Sequence, residues 1–186
     1  MTTRFSMAPL DLSADRSAFA CGIEPLDRYF RTQVGQDIKR RVTACFTALD
    51  KHGQIAGYYT LASASMDLSD LPDSLAKRLP RYPSVPAVRM GRLAVDQGYR
   101  GKGLGAALLA DALRRAASSQ IAAYALIVDA KDAAAAQFYA HHGFIALSDQ
   151  PLFLFIPLAT VKTLVERFGK FDWDSSYAYK ADRSRS

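Results

Sequence analysis

The run Val88-Arg89-Met90-Gly91-Arg92-Leu93-Ala94-Val95-Asp96-Gln97-Gly98-Tyr99-Arg100-Gly101-Lys102-Gly103-Leu104-Gly105-Ala106 decides how the rest of the chain is read. Its first eight residues alternate as a strand does, and from Gly105 an alanine- and leucine-rich segment has helical spacing. Strand, glycine loop and helix start together make an anion cradle. Glycines let successive N–H groups turn toward one point, and the helix N-terminus adds the positive end of its dipole. Arg100 and Lys102 put formal charge beside that concavity. A pyrophosphate is its natural guest.

Two common pyrophosphate loops do not fit. A Walker loop needs Gly-Lys-Ser/Thr, which does not occur here. A dinucleotide fingerprint needs G-x-G-x-x-G after a first strand, and Gly101-Lys102-Gly103-Leu104-Gly105 has neither that spacing nor that place. What fits is R-x-x-G-x-G, read as Arg100, Gly103 and Gly105. Gln137-Phe138-Tyr139 and Gly143-Phe144 follow about one βα unit downstream. This combination resembles the GNAT acetyltransferases, most strongly from Arg92 to Phe144. The resemblance implies an α/β (α+β) GNAT fold. Its mixed central sheet would have about six to seven strands flanked by helices, splayed at the acetyl-CoA strand.

Composition sets wider bounds. A chain of 186 residues, 49% apolar and 23% charged, is an ordinary globular sequence long enough for one domain with a proper core. No apolar run approaches the ~20 residues of a membrane span. Met1-Thr2-Thr3-Arg4-Phe5 has no long hydrophobic signal region. The expectation is a cytoplasmic protein without membrane contact. Cys21 and Cys45 have no metal-ligand spacing and read as buried free thiols, so no metal is expected.

The net charge of +6 comes from 24 basic and 18 acidic residues. Basic clusters stand at Lys39-Arg40-Arg41, at Lys77-Arg78 with Arg81, and at Arg89 with Arg92. A solvated surface accounts for such clusters, and so does a surface for a polyanion.

Along the chain, a strand is expected over 4–8, with a turn at Pro9 and Asp11. A helix beginning near Pro25 carries Leu26, Tyr29, Phe30, Val34 and Ile38 at core spacing and ends in Lys39-Arg40-Arg41, where its dipole favours cations. Residues 42–49 and 55–64 read as a hairpin around Asp50-Lys51-His52-Gly53-Gln54. Residues 66–87, with four of the eight prolines, read as a long loop holding at most a short helix over 73–78. A helix over 105–118 and a strand over 121–129 follow. Asp132 caps a further helix that stops at Gly143, with His141 and His142 in its last turn. Strands are expected over 144–148 and 152–156. Val161, Leu164, Val165 and Phe168 mark a last helix, so one domain over 1–168 and a polar tail over 169–186 are expected.

Acetyl transfer from a thioester to an amine needs a held cofactor, a polarised carbonyl, an uncharged amine and a proton for the leaving thiolate. The GNAT resemblance assigns the acetyl-CoA pyrophosphate to the backbone of Gly101, Lys102, Gly103, Leu104, Gly105 and Ala106. Arg100 and Lys102 then become phosphate or adenine-ribose contacts. An N–H of Leu93-Ala94-Val95 would orient the pantetheine and carbonyl. Asp132 and Phe138 join the cofactor set, although Phe138 also reads as core. Tyr139, in the Phe-Tyr pair, is the implied catalytic acid; packing between helix and sheet is the plainer reading of the same residue. Glu24, Asp96 and Asp129 are the carboxylates available as bases, and nothing in the sequence marks any of them. An aminoacyl ester needs little base, because an α-amino group titrates near 7.7 to 8.0 and a lysine near 10.4.

A narrower resemblance spans most of the chain. Phe19-x-Cys21-Gly22 with Leu26-Asp27, Gly57-Tyr58-Tyr59-Thr60-Leu61, Pro83-x-x-Pro86, Gly91-Arg92-Leu93-Ala94-Val95-Asp96, Val128-Asp129-Ala130-Lys131-Asp132 and Phe138-Tyr139 are similar to the GNAT-type toxins of bacterial toxin–antitoxin pairs. These acetylate the α-amino group of aminoacyl-tRNA and stop translation. The resemblance implies a ribbon-helix-helix antitoxin as partner and a homodimer. It also gives Lys39, Arg40, Arg41, Lys77, Arg78, Arg81, Arg89 and Arg92 a role on tRNA phosphates. A GNAT enzyme acting on a small amine or protein amino group, and a non-enzymatic acyl-CoA-binding module, are the alternatives.

Overall fold

The computed structural model describes residues 5–161. Seven strands form one sheet in the order β1-β2-β3-β4-β5-β7-β6. They are β1 (Ser6–Pro9), β2 (Ala44–Leu49), β3 (Ile55–Asp67), β4 (Ser84–Val95), β5 (Ala125–Asp129), β6 (Ile145–Ala146) and β7 (Phe153–Pro157). The helices are α1 (Glu24–Thr32), α2 (Val34–Lys39), α3 (Asp73–Ala76), α4 (Leu104–Ala117) and α5 (Ala133–His141). The sheet is mixed, because β4 and β5 run parallel while β1–β2, β5–β7 and β6–β7 pair antiparallel. No helix among the described residues is long and apolar enough to cross a membrane.

The chain divides into two compact units. Among the described residues, one takes the chain up to Thr60 together with Arg92–Ala112, and the other takes Leu61–Gly91 and residues 113–161. In the first, α1 and α2 bury Tyr29, Phe30 and Val34 among Phe19, Cys45, Tyr58 and Ala94. Phe30 stacks on Tyr58 at 4.2 Å, and Phe19 meets both edge-on. α4 packs so closely on β3 that a Cβ at Gly57 would stand 2.8 Å from Leu108 and 2.9 Å from the Ala94 carbonyl oxygen. Glycine is the residue that admits this approach. In the second, Met66, Val85, Ala87, Ala125, Ile127, Leu147 and Phe155 form the core, with Leu75 and Ala76 of α3 against it.

Several boundaries differ from expectation, each for a local reason. The helix expected to run on to Lys39 breaks at Gln33 (φ −115°, ψ −34°). There the Thr32 hydroxyl bonds back to the Arg28 carbonyl at 2.7 Å, a contact that bends helices. β2 starts at Ala44 rather than Val42, because Arg41 turns the chain at a left-handed φ of 58° and the Val42 N–H is spent on the Asp37 carbonyl at 3.1 Å. The loop expected over 66–87 shrinks: β3 runs on to Asp67 and β4 already begins at Ser84. Pro86, which suggested a loop, lies in β4 one residue before the first β5 rung, Ala87↔Ala125. A proline there deprives no rung of its donor. The same rung explains why β5 begins at Ala125 while Ile121 stays 84% exposed. Pro9 closes β1 at the sheet's edge, where its missing N–H is harmless. The helix through Leu164, Val165 and Phe168, the domain end at 168 and the tail over 169–186 lie outside the described residues.

Candidate active site

In the first unit, β4 runs through Leu93, Ala94 and Val95 into the 3-10 turn Gln97–Tyr99 and the glycine loop that opens α4. The β4–β5 ladder covers only Ala87–Met90, so Leu93–Val95 have no rung with β5. Gly101 and Gly103 adopt φ of +75° and +73°, and no atom lies within 4 Å of where a Cβ would stand on either. The loop therefore faces open space in a conformation that suits glycine. Ala107 N–H returns to the Gly103 carbonyl at 3.1 Å. The amides of 104 to 106 belong to the first turn, where a helix offers them no acceptor of its own. A diphosphate fits such a surface.

This loop is braced from a distant segment. Asp96 takes the Ala20 amide at 2.9 Å and the Gly98 amide at 2.8 Å. Gln97 N–H donates to the Ala20 carbonyl at 2.9 Å, and the Arg100 guanidinium donates to the Cys21 carbonyl. The receiving turn is itself fixed by Asp27, 3% exposed, which takes the amides of Cys21 (2.7 Å) and Gly22 (3.2 Å). Burial opposes the Asp27 charge, but those hydrogen bonds and Arg31 hold its carboxyl below the ordinary range. Gly22 has φ +87°, and a Cβ there would meet Gln97 at 2.5 Å. The sequence motif Phe19-x-Cys21-Gly22 with Leu26-Asp27 is thus the loop's support, a role the sequence reading did not assign. An acid in the first turn after a glycine was the signal that could have revealed it.

Arg100 is committed to that bracing, whereas the Lys102 ammonium lies 5.4 Å from the Tyr99 ring centroid. Cys21 and Cys45 are buried free thiols, as expected. Burial raises the first to about 11 and the second to about 12.

In the second unit, α5 carries Phe138 and Tyr139. Asp132 caps it by accepting from Ala135 N–H at 2.8 Å and also meets Lys131 at 3.0 Å. The helix stops as expected, with Gly143 at φ +93° and Phe144 N–H on the Tyr139 carbonyl at 3.1 Å. Tyr139 is half-buried, with its ring 5.3 Å from Phe138 and 5.4 Å from Phe144. Burial pushes its phenol up to about 12. Its hydroxyl makes no hydrogen bond to any described residue. Other tyrosines spend theirs: Tyr29 on Asp37, Tyr58 on the Leu26 carbonyl, Tyr59 on Asp111 and Tyr99 on Asp50. Phe138 lies 4.6 Å from the His142 ring, and His142 Nδ1 is 2.7 Å from the Phe138 carbonyl oxygen. Burial lowers the His142 pKa.

The candidate bases are mostly engaged. Asp96 holds two amides, Asp129 pairs with Arg89, and Glu24 lies exposed in the first turn of α1. Of the basic residues, Lys39, Arg40, Arg41, Lys77, Arg78 and Arg81 are exposed. Arg89 has its ion pair, and Arg92 stacks its guanidinium 3.4 Å from the Tyr29 ring centroid. Lys39, Arg40, Arg41 and Arg92 belong to the first unit, and Lys77, Arg78, Arg81 and Arg89 to the second. No group of three or more His, Cys, Asp or Glu among the described residues could hold a metal ion.

Residues 12–144 match the family model described as Acetyltransferase (GNAT) family. A tRNA-acetylating toxin of Mycobacterium tuberculosis is 32% identical over 153 residues, 81% of this chain and 90% of that protein. The structure of AtaT complexed with acetyl-methionyl-tRNAfMet superposes with a TM-score of 0.80 at 30% identity, covering 87% of this chain and 99% of that one. A tyrosine-to-phenylalanine mutant of AtaT, bound to acetyl-CoA and the C-terminus of the antitoxin AtaR, superposes with a TM-score of 0.72 at 26% identity, covering 86% and 97%. With its seven-stranded mixed sheet, its glycine loop at the head of α4 and these likenesses, the chain belongs to the GNAT acetyltransferase family.

Proposed function

We propose that this protein transfers the acetyl group of acetyl-CoA to the α-amino group of aminoacyl-tRNA and thereby blocks translation. The open, left-handed glycine pair Gly101 and Gly103 at the head of α4 carries the reading, because it suits a diphosphate and leaves room for one. The tRNA-acetylating relative and the neighbour holding an acetylated tRNA support the choice of acceptor.

Acetyl-CoA, when bound, supplies an acyl group activated as a thioester. The amides of Gly101 to Ala106 would hold its phosphates, and an N–H of Leu93–Val95 would orient the acyl arm. Asp132, which also caps α5, and Phe138 are proposed as further cofactor contacts. Tyr139 Oη holds a proton through the whole neutral range, since its phenol is raised to about 12. A thiol titrates near 8.5, so complete transfer from this phenol to a thiolate alone is uphill. As the amine nitrogen bonds to the acyl carbon and the carbon–sulfur bond breaks, Tyr139 would first hydrogen-bond the departing sulfur and then give it the proton. The proton that the amine loses would restore the phenol. An α-amine is partly neutral at pH 7, which matches a site whose carboxylates are engaged.

The exposed Lys39, Arg40, Arg41, Lys77, Arg78 and Arg81 are proposed as tRNA phosphate contacts, with Arg89 and Arg92 contributing where their present partners release them. The proposal includes a homodimer working in the cytoplasm on one catalytic domain, residues 1–168, and a ribbon-helix-helix antitoxin. The antitoxin-bound neighbour supports an antitoxin as partner. The deciding experiment is incubation with charged total tRNA and labelled acetyl-CoA. Label should enter the RNA fraction and leave it on mild alkaline deacylation. Label that enters only small amines or protein would overturn the acceptor.

A further inference from the structure

Two opposite charges flank the ring of Tyr99. On its face lies the Lys102 ammonium, 5.4 Å from the centroid and within cation–π range. At its hydroxyl end, Tyr99 Oη donates to Asp50 at 2.7 Å. Asp50 closes the β2–β3 turn by also accepting from the amides of His52 (2.8 Å) and Gln54 (2.9 Å). The ring is seated edge-on against buried Phe5 at 5.8 Å. Asp96, the other carboxylate near Tyr99, already holds the amides of Ala20 and Gly98.

The glycine loop has two cations of its own, and they are not equivalent. Arg100 is bound to the Cys21 carbonyl, whereas Lys102 pairs with no carboxylate among the described residues. An ammonium beside an open loop is what a phosphate needs, and a carboxylate one ring away is what would compete for it. The Tyr99 hydroxyl is one of three donors that satisfy that carboxylate where it stands. Its hydrogen bond is also the largest cause holding the Asp50 carboxyl below its ordinary range.

We propose that Tyr99 is a positioning residue: its ring holds Lys102 beside the glycine loop as a phosphate-binding cation, and its hydroxyl keeps the Asp50 carboxylate from pairing with that lysine. This rests on the reading that the loop binds the phosphates of coenzyme A.

The test is calorimetric titration of the full chain with coenzyme A at low and high salt, with thermal melting to show that each variant is folded. Lys102→Met should weaken binding roughly tenfold and flatten its salt dependence. Tyr99→Phe, which keeps the ring and removes the hydroxyl, should weaken it roughly threefold to tenfold. Adding Asp50→Asn to Tyr99→Phe should return the affinity to within about twofold of wild type, because the freed competitor has lost its charge. A merely structural hydroxyl gives the opposite result, since a second change in the same turn would not repair it. Unchanged affinity in Lys102→Met or Tyr99→Phe, or a double variant as weak as the single one, overturns the proposal. A wild type that binds no coenzyme A overturns the coenzyme reading itself and this proposal with it.

Discussion

The glycine loop carries the proposed phosphate cradle and α5 the proposed proton donor, and they are held in opposite ways. The loop is braced from far along the chain: Asp96 takes an amide 76 positions away, and Arg100 reaches a carbonyl 79 positions away. α5 is held by its own ends, with Asp132 capping an amide three positions on and Gly143 turning the chain back. A helix fixed by local contacts can present Tyr139 with little help from elsewhere. A loop with two left-handed glycines has little rigidity of its own and depends on distant side chains to keep its amides aligned. Damage to the two regions should therefore look different.

The largest effect is expected at Tyr139. Tyr139→Phe leaves the ring and its contacts with Phe138 and Phe144 in place and removes the one hydroxyl. Losing a positioned proton donor costs on the order of 10²- to 10⁴-fold in rate. Acetyl transfer should fall by that factor while coenzyme A affinity, measured by titration, stays the same. The wild-type rate should also show no loss from ionisation of Tyr139 across the neutral range, because burial holds its phenol near 12. Equal turnover in variant and wild type would remove Tyr139 from the chemistry.

The same contrast explains what could be read from the sequence. The helix end at Gly143 and the cap at Asp132 follow from residues within a few positions of each other, and both stand where they were expected. The glycine loop was legible as a motif because its own glycines carry it. Its braces were not: an acid in the first turn of α1 can hint at the Cys21–Gly22 turn, but nothing local tells Gln97 and Arg100 to find carbonyls in that segment. The beginning of β4 at Ser84, ahead of Pro86, was missed for a related reason. A proline reads as a break until the partner strand shows that no donor is needed there. Tyr139 could be nominated from its neighbours, but its uncommitted hydroxyl became visible only beside four other tyrosines that had spent theirs.

An intermediate effect is expected from Asp27→Ala, which breaks the distant brace. The substitution leaves the buried Cys21 amide and the part-buried Gly22 amide without their acceptor. Orphaning such groups costs on the order of 2–3 kcal/mol, measurable by denaturant unfolding at neutral pH. The pH dependence has a definite sign. The folded-state pKa of Asp27 is depressed, so its contribution is full above the unfolded value near 3.9 and is lost as pH falls through the lower folded one. Wild type and variant should thus converge in stability on acidification below about pH 4. Coenzyme A affinity should fall with the brace, although Asp27 belongs to the support and not to the loop. A variant that keeps full affinity would show that the loop holds its shape alone.

Asp132→Ala should give the smallest effect, because it breaks a local contact. The side chain is exposed, and its ion pair with Lys131 contributes little in water. What remains is the N-cap bond to Ala135, whose loss should lower the melting temperature slightly. Asp132→Ser keeps a side-chain acceptor without the charge and should recover most of that loss in a thermal melt. Recovery by serine would assign the stabilisation to the hydrogen bond. A serine variant as unstable as the alanine one would assign it to the negative charge at the helix N-terminus instead, and salt would then erase the difference from wild type. Either way Tyr139 sits two turns beyond the cap, near the Gly143 stop, so fraying at the first turn should reach it weakly. A loss of transfer as large as that of Tyr139→Phe would mean that α5 is not held by its own ends, and the contrast with the glycine loop would fall.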